Sequence, residues 1–359
     1  MPFTTIDDPS KYFQVTTYTG TGSNTQQVTN GGNSNLQPDW LWVKNRSNAI
    51  AHGLWDSSRG ASARINLDNQ AEESQSNVAS FDSDGFTMGA TGDIIGTNTH
   101  TYVAWQWKAN GGTTTTNDAS STSIGSQDSV YQANTTAGFS IVTWSGANAV
   151  ATMAHGLGAV PHLIILKGRG GTENWGVYHH KNTAAPETDR LKWDTDDATA
   201  DSTDVTNDTA PTSTLFTVGN SGIANESGNT YFAYLFSEKK GYSKFGSYVG
   251  SGENNGIFVF TGFQPAFVMI KRTDSSTNGN WWIHDTERHT SSNPSSRTLK
   301  ADTAAAEVNS SDQYLDILSN GFKTRNGNNS QNGSGNSYVY VAFAEKPFVS
   351  SSGVPTTAR

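Results

Sequence analysis

The sequence predicts an all-β fold made of three tandem, jelly-roll-like antiparallel β-sandwich units. Two features of the composition favour this fold. Aromatic residues make up 11% of the chain while charged residues make up only 15%, and the apolar runs are short and separated by stretches rich in Gly, Ser, Thr and Asn. Such a mixture is typical of many short strands joined by polar turns. The third feature is a long-period repeat, which gives the number of units.

The repeat consists of three segments in a fixed order. A strand-like run ending in an aromatic residue and glycine comes first, then a proline with an apolar run ending in lysine, and then a Tyr-[Val/Phe]-Ala-aromatic segment. The first segment occupies 15–20, 141–146 and 244–250; the second 38–44, 161–167 and 265–271; and the third 102–105, 231–234 and 340–343. Copies spaced by about 100 residues or more indicate tandem domains and not a solenoid.

The repeat sets the predicted boundaries. We expect an N-terminal arm at 1–11, a first sandwich at 12–108, a Gly/Thr/Ser-rich linker at 109–133, a second sandwich at 134–240, a third at 241–348 and a C-terminal tail at 349–359. The linker is predicted from composition alone, because Gly- and Ser-rich stretches form flexible connections. Alternating segments such as 139–144 predict half-buried strands, and the turn dipeptides Asp84-Gly85 and Asn320-Gly321 predict hairpins.

Charge and cysteine content exclude several classes of function. The net charge is −9, which disfavours nucleic acid and anionic membranes as partners. The chain contains no cysteine, so disulfides, thiolate metal sites and cysteine nucleophiles are excluded. It has no visible signal peptide and no apolar stretch near the ~18 residues needed to cross a bilayer. We therefore expect a soluble protein made in the cytoplasm, with no membrane insertion.

An aromatic-rich segment follows each lysine, at 52–56, 175–179 and 281–285. One interpretation is a glycan-binding platform, in which aromatic rings stack on sugars and carboxylates bind hydroxyl groups. Its residues would be Trp55, Asp56, Trp175, Tyr178, Trp282 and Asp285. The other interpretation places these aromatic side chains in the sandwich cores, because large aromatics dominate core burial. A feature present in every copy favours the core.

No catalytic, cofactor or metal motif stands out. The adjacent His179 and His180 would point to opposite faces of a strand, and the acidic loop 82–85 lacks the glutamate of an EF-hand. Asp56 and Asp285 are each followed three residues later by arginine, but His179 takes their place in the second copy. A glycosidase needs a pair of facing carboxylates, so we expect ion pairs here and no enzymatic activity.

The second copy carries a family resemblance. Gly138–Gly146, His155-Gly156-Leu157-Gly158, Pro161–Lys167 and Trp175–His179 together resemble a repeat domain of virion proteins from tailed phages, most closely those of marine cyanophages and pelagiphages. That family implies a structural or tail-fibre-like role and supplies no catalytic residues. The first copy lacks the His-Gly-Leu-Gly segment, and the third keeps only Thr261-Gly262-Phe263.

The resemblance implies a non-enzymatic bacteriophage virion protein, either a tail fibre and adhesin or a capsid decoration protein. It would stabilise the particle, attach it to the host surface, or do both. We expect it in the virion, in contact with other virion proteins, as a homo-oligomer and most simply a trimer. The alternative is a lectin-like protein whose tandem aromatic sites gain affinity from multivalency. Exposed aromatic residues would favour the lectin, and buried ones would count against it.

Overall fold

The computed structural model describes residues 3–67, 77–289 and 293–356, together with the backbone of 72–74. Over these residues the regular secondary structure is almost entirely antiparallel β-sheet, which confirms the predicted all-β class. The first two residues of the predicted arm and the last three of the predicted tail lie outside the described part. No helix in the described ranges has the length and apolar character needed to cross a bilayer.

The first part of the chain forms one large and one small sheet. A short 3₁₀ turn at Pro9–Lys11 precedes β1 (Phe13–Thr19), β2 (Gln27–Val28), β3 (Trp40–Asn45), β4 (Gly53–Asp56), β5 (Ala63–Asn66), β6 (Glu72–Ser74), β7 (Val78–Asp82), β8 (Gly85–Met88) and β9 (Thr101–Trp107). The first large sheet has the order β1-β9-β3-β4-β5-β6, and its small sheet has the order β2-β8-β7.

The second part has a similar pair of sheets and two further strands. Its elements are β10 (Thr115–Asn117), a helical turn α1 (Ala119–Thr122), β11 (Ser129–Asn134), β12 (Phe139–Ser145), β13 (Ala151–Ala154), β14 (Leu163–Gly168), β15 (Gly176–His179), a 3₁₀ turn at Pro186–Thr188, β16 (Asp189–Lys192), β17 (Ala200–Asp201), β18 (Leu215–Val218) and β19 (Thr230–Phe236). The second large sheet has the order β10-β11-β12-β19-β14-β15-β16-β17, and its small sheet is β13-β18.

The third part returns to the six-plus-three arrangement. Its elements are β20 (Ser243–Val249), β21 (Phe258–Phe260), β22 (Phe263–Arg272), β23 (Trp281–Asp285), β24 (Arg297–Lys300), β25 (Val308–Asn309), a 3₁₀ turn at Ser311–Gln313, β26 (Leu315–Leu318), β27 (Gly321–Thr324) and β28 (Ser337–Pro347). The third large sheet has the order β20-β28-β22-β23-β24-β25, and its small sheet has the order β21-β27-β26.

The three large sheets share a strand order and a pairing register. Tyr18 pairs with Tyr102, Trp144 with Tyr231, and Tyr248 with Tyr338. The hydroxyls of Tyr102, Tyr231 and Tyr338 each accept a hydrogen bond from the backbone N–H five residues earlier. Each also donates to the carbonyl nine residues earlier. The third closing segment therefore begins at Tyr338, and the sequence alignment that started it at Tyr340 was wrong by two residues.

The stretch at 109–133 differs from the flexible linker predicted from its composition. It contains β10 and most of β11, and β11 pairs along β12 from Val130↔Thr143 to Asn134↔Phe139. Asp39 fixes its start, because its carboxylate accepts hydrogen bonds from the backbone N–H groups of residues 109, 111 and 112. The stretch is thus an added edge of the second large sheet.

The predicted hairpin turns are present in the first and third parts. Gly85 joins β7 to β8 at a φ of 97°, and an added Cβ would lie 2.0 Å from the carbonyl oxygen of Val28. A Cβ added at Gly321 would lie at the same distance from the carbonyl oxygen of Val259. No L side chain fits so close to a backbone, so glycine is required where the neighbouring strand passes.

One face of each large sheet contributes to a single central core. Trp40 of the first sheet stacks on Tyr234 of the second at 4.3 Å, Phe236 of the second contacts Phe343 of the third at 5.4 Å, and Phe267 of the third contacts Trp42 of the first at 6.4 Å. Space among these rings amounts to about 10 Å³, room for at most one water. The opposite faces of the first and second large sheets pack on their small sheets in separate cores.

Candidate functional site

The six residues predicted to bind glycans are all buried. Trp55, Asp56 and Trp175 have no exposed surface, and the most exposed of the six, Trp282, retains 6%. Trp55 lies in the core between the first large and small sheets, Tyr178 in the corresponding core of the second, and Trp175 in the central core. The glycan platform predicted from the sequence is therefore not present at these residues, because a sugar cannot stack on a ring without solvent access.

Of the four predicted aromatic residues, Trp55 and Tyr178 share one strand position and Trp282 does not. Leu41, Ile164 and Val268 lie three residues before the repeated lysine of each copy, and they pair with Trp55, Tyr178 and His284. Trp282 lies two residues away from this position and faces the Lys300 ammonium at 4.7 Å. The third copy therefore has His284 at the position of Trp55 and Tyr178.

The position of Asp56 is shared instead by His179 and Asp285. These three residues pair with Trp40, Leu163 and Phe267, each four residues before the lysine. All three lie at the end of the strand where it approaches the next large sheet. Asp56, His179 and Asp285 therefore occupy equivalent positions in the three large sheets.

Asp56 joins the first large sheet to the second. Its Oδ2 accepts a hydrogen bond from the Tyr234 hydroxyl at 2.9 Å and from Arg59 Nε at 2.5 Å, and the side chains of the Asp56–Arg59 pair have no exposed surface. The Arg59 guanidinium also lies 4.2 Å from the centre of the Phe232 ring. Burial raises the pKa of Tyr234 well above its usual value, and the nearby Asp56 carboxylate raises it further. The phenol is therefore a fixed hydrogen-bond donor and not a proton carrier.

Asp285 joins the third large sheet to the first in the same way. Its Oδ2 accepts from the Trp105 indole N–H at 2.9 Å and from Arg288 Nε at 2.6 Å. Arg288 is fully buried and reaches Glu307 at 3.3 Å. Glu307 in turn binds Arg46 of the first part through two hydrogen bonds of 2.9 Å. The predicted Asp–Arg ion pairs are present, and both lie at contacts between sheets.

His179 joins the second large sheet to the third without a charge. Its Nδ1 accepts from the Lys181 backbone N–H, so the proton is on Nε2, which donates to the Tyr340 carbonyl oxygen at 3.2 Å. Burial lowers the pKa of His179 to about 3, and nearby His180 lowers it as well. The imidazole is neutral at pH 7. With this contact the hydrogen bonds run from the first sheet to the second, the second to the third and the third to the first.

The three repeated lysines are fully buried and cap backbone carbonyl groups. Lys44 Nζ lies 2.8 Å from the carbonyl oxygens of Asn45 and Ile50, and 3.1 Å from that of Ala304 in the third part. Lys271 Nζ donates to the carbonyl groups of 196 and 197 in the second part at 3.0 and 2.7 Å. Lys167 donates to the carbonyl of Glu173. Burial lowers the pKa values of Lys167 and Lys271 to about 8.

The described residues contain no group of three His, Asp or Glu side chains placed to hold a metal ion. In the acidic loop 82–85, Asp82 accepts hydrogen bonds from the Ser80 and Thr87 hydroxyls, and Asp84 accepts from the Leu36 N–H. These carboxylates fasten a hairpin and its neighbouring strand.

The surface carries a groove that the sequence analysis missed. It runs along β1 and has a volume of about 390 Å³. One wall is formed by residues 13–17, another by the turn 29–33, and the third by residues of the third part, including Glu287 and Glu345. A free sheet edge leaves no signal in sequence, because any strand reads alike whether or not a neighbour pairs with it.

Comparison with known proteins gives one finding. The model of a domain of unknown function, DUF7483, matches residues 8–347. Searches of curated proteins and of solved structures find no match.

Proposed function

The chain belongs to the DUF7483 family, and we propose that it is a non-enzymatic structural protein of a bacteriophage virion. It would act as a tail fibre or adhesin, or as a decoration protein on the capsid. The phage assignment comes from the resemblance of the second copy to virion repeat domains. The geometry supports the structural part of the proposal independently.

The observation that carries the structural role is the use made of the repeated polar residues. Asp56, His179 and Asp285 occupy one strand position and each bridges two large sheets. An active site or binding site needs polar groups that reach a ligand. These groups are buried and direct their hydrogen bonds to the protein itself, as expected where packing is their purpose.

The shared strand order further supports three copies of one β unit within the chain. Three copies that surround a common core and contact one another in a closed cycle reproduce, inside one polypeptide, the symmetry of a cyclic trimer. The geometry therefore favours a monomer of 38.4 kDa, whereas a trimer of chains was expected from the sequence. Such a body would serve as a rigid module on a larger assembly.

The lectin alternative loses its structural support with the burial of its aromatic residues. Among the described residues the exposed large aromatics are Phe3, Phe258 and Phe260, which have no polar group for a sugar hydroxyl. Glycan attachment is therefore retained only as an outcome to be measured.

The proposal is tested first on virions. Particles purified from the phage that encodes the chain should contain it in a fixed copy number per particle, measured by quantitative mass spectrometry. The major capsid protein provides the internal standard. Presence of the chain in infected cells together with its absence from purified particles would refute the virion role.

Solution measurements test the remaining parts. Light scattering should give the mass of one chain, whereas three times that mass would restore the trimer. A glycan array run on the same sample should show no binding. Binding that survives Phe258→Ser and Phe260→Ser substitutions but is lost on competition with a defined glycan would revive the lectin assignment.

A further inference from the structure

The three large sheets differ at one edge, which is formed by β1, β12 and β20. These strands are equivalent, since each pairs with the closing strand of its own sheet through the register of Tyr18, Trp144 and Tyr248. Within the described ranges, only the strand of the second sheet has a further neighbour on its other side, β11. The chain therefore shows, within itself, that this edge accepts an added antiparallel strand.

The added strand fits between the second sheet and the first part of the chain. Gln132 of β11 is fully buried, and its side-chain amide donates to the hydroxyls of Ser57 and Ser58 at 2.9 and 3.0 Å. Asn134 donates to the Ala109 carbonyl oxygen at 3.0 Å. On the opposite side an added Cβ on Gly156 would touch Tyr131 and Ala133. A glycine before β14 thus leaves space for the strand.

The groove along β1 is bounded by residues equivalent to those that surround β11. Thr286 and Glu287 follow Asp285 as Ser57 and Ser58 follow Asp56, and Glu287 lines the groove. Residues 344 and 345 occupy the positions of 108 and 109, because Phe343 pairs with Ser243 as Trp107 pairs with Phe13. The pair Gly31-Gly32 precedes β3 as Gly156 precedes β14. The groove is the place that β11 would take on the first sheet.

The corresponding edge of the third sheet is closed by side chains. The Phe245 backbone N–H donates to Glu238 Oε1 at 2.8 Å, and its carbonyl oxygen accepts from His180 Nε2 at 2.6 Å. Phe245 occupies the position of Ile141, the partner of Gln132 in β11, and of Val15 in β1. The edge of the second sheet is therefore occupied by β11, that of the third sheet is capped by side chains, and that of the first sheet is open to a strand.

The charge of the groove indicates the side chain that would enter it. Where β11 meets two serines, the β1 groove presents Glu287, with Glu345 nearby and Lys346 as the one cation of its lining. Glu287 forms no ion pair with any described residue. Burial and the charges of Glu345 and Asp285 raise its pKa, so a cation placed here would be favoured.

We propose that the β1 groove binds an extended segment of a partner protein, which adds to β1 as an antiparallel strand and places a Lys or Arg side chain against Glu287 and Glu345. Main-chain hydrogen bonds would supply affinity and the cation would supply selectivity, as in other cases of strand addition. This inference does not rest on the virion assignment. It identifies an attachment surface of the chain wherever the chain acts.

The test uses labelled peptides derived from this chain's own added strand, residues 127–136. Three versions carry the natural Gln132, Gln132→Arg or Gln132→Glu, and fluorescence anisotropy measures their binding to the full chain. We expect the Arg peptide to bind about tenfold or more tightly than the Glu peptide, a difference of about 1.4 kcal/mol. Failure of all three peptides to bind would overturn the proposal.

Two protein variants locate the binding. Glu287→Lys should reverse the order of the Arg and Glu peptides, while Glu253→Lys, on an exposed loop of the third part, should leave it unchanged. Equal effects of both substitutions would mean that net charge alone attracts the peptides. Hydrogen exchange should also show slower exchange at the β1 amides in the complex, and binding without this protection would contradict strand addition.

Discussion

Two of the contacts between large sheets are made by a charged pair and one by a neutral ring. Asp56–Arg59 and Asp285–Arg288 each accept a neutral donor from the next sheet, Tyr234 or Trp105. In the same strand position His179 donates to a backbone carbonyl. The hydrogen bond therefore runs in the opposite direction at one contact of three.

This difference shows what the position requires. A catalytic role would fix the chemistry of the side chain, since an acid, a base and a neutral donor are not interchangeable in a reaction. A packing role requires only that the polar groups buried between two sheets be satisfied. The position tolerates both solutions, which agrees with a structural purpose. The two solutions differ in energy and in their response to pH, and those differences can be measured.

The largest expected effect is that of Asp56→Ala. The substitution leaves the Arg59 guanidinium buried without Asp56 and removes the acceptor of Tyr234, and breaking a buried pair of this kind costs about 3–5 kcal/mol. Urea unfolding measures the free energy. Asp316→Ala is the matched control, because its partner Arg325 is 41% exposed and such surface pairs contribute about 1 kcal/mol or less. Equal losses in the two variants would contradict a special role for Asp56.

Tyr234→Phe separates the contact between sheets from the ion pair. It removes the hydroxyl that donates to Asp56 and accepts from Arg59 Nη2 at 3.3 Å, and it keeps the ring that stacks on Trp40. We therefore expect a loss of about 1.5–3 kcal/mol in unfolding free energy. Tyr12→Phe is the control, since the Tyr12 ring packs on Tyr242 and its hydroxyl makes no hydrogen bond with the described residues. A loss as small as that of the control would show that Arg59 alone satisfies Asp56.

The neutral contact at His179 predicts a pH dependence of stability. The folded-state pKa of His179 is about 3, below its unfolded value of about 6.5. The unfolded chain therefore binds more protons between these values, so stability is full above pH 6.5 and falls as the pH is lowered through this window. His179→Gln keeps an N–H donor and cannot titrate.

The measurement compares unfolding free energies at pH 7 and pH 5. The decrease between the two should be smaller in His179→Gln than in the natural chain by about 2 kcal/mol, which is 1.36 kcal/mol per pH unit over the titrating range. Other titrating groups contribute equally to both proteins and cancel. The same decrease in both proteins would mean that His179 is protonated in the folded state.

The sequence predicted the strands well, but it did not predict which sheets their faces pack against. The alternation at 139–144, the lysine-ended runs and the Gly85 hairpin are local signals, and each element is found where expected. The strand at 139–144 is nevertheless buried on both faces, whereas its alternation predicted a half-buried strand. The burial of Trp55 and Trp175 could not be read in the same way, because an aromatic residue on a strand has the same local pattern whether its face meets solvent or another sheet. The packing of three sheets around one core is a long-range property.

The stretch at 109–133 shows the opposite error. Its Gly- and Thr-rich start predicted a flexible connection, but β11 is held by a neighbouring sheet and by Gln132, whose contacts lie in residues 57 and 58. Tertiary contacts override local propensity in this way when a strand gains both an edge and a buried polar partner.

The smallest predicted effect tests the corrected register of the third copy. If Tyr338 is the equivalent of Tyr102 and Tyr231, then substitution of any of the three by Phe should lower the unfolding free energy by about 1 kcal/mol. Each substitution removes a hydroxyl that hydrogen-bonds the backbone of the loop five and nine residues upstream. Tyr340→Phe is the control. Its ring contacts Phe322, and its hydroxyl makes no hydrogen bond with the described residues. We expect a change below about 0.5 kcal/mol, whereas a larger loss at Tyr340 than at Tyr338 would restore the alignment read from the sequence.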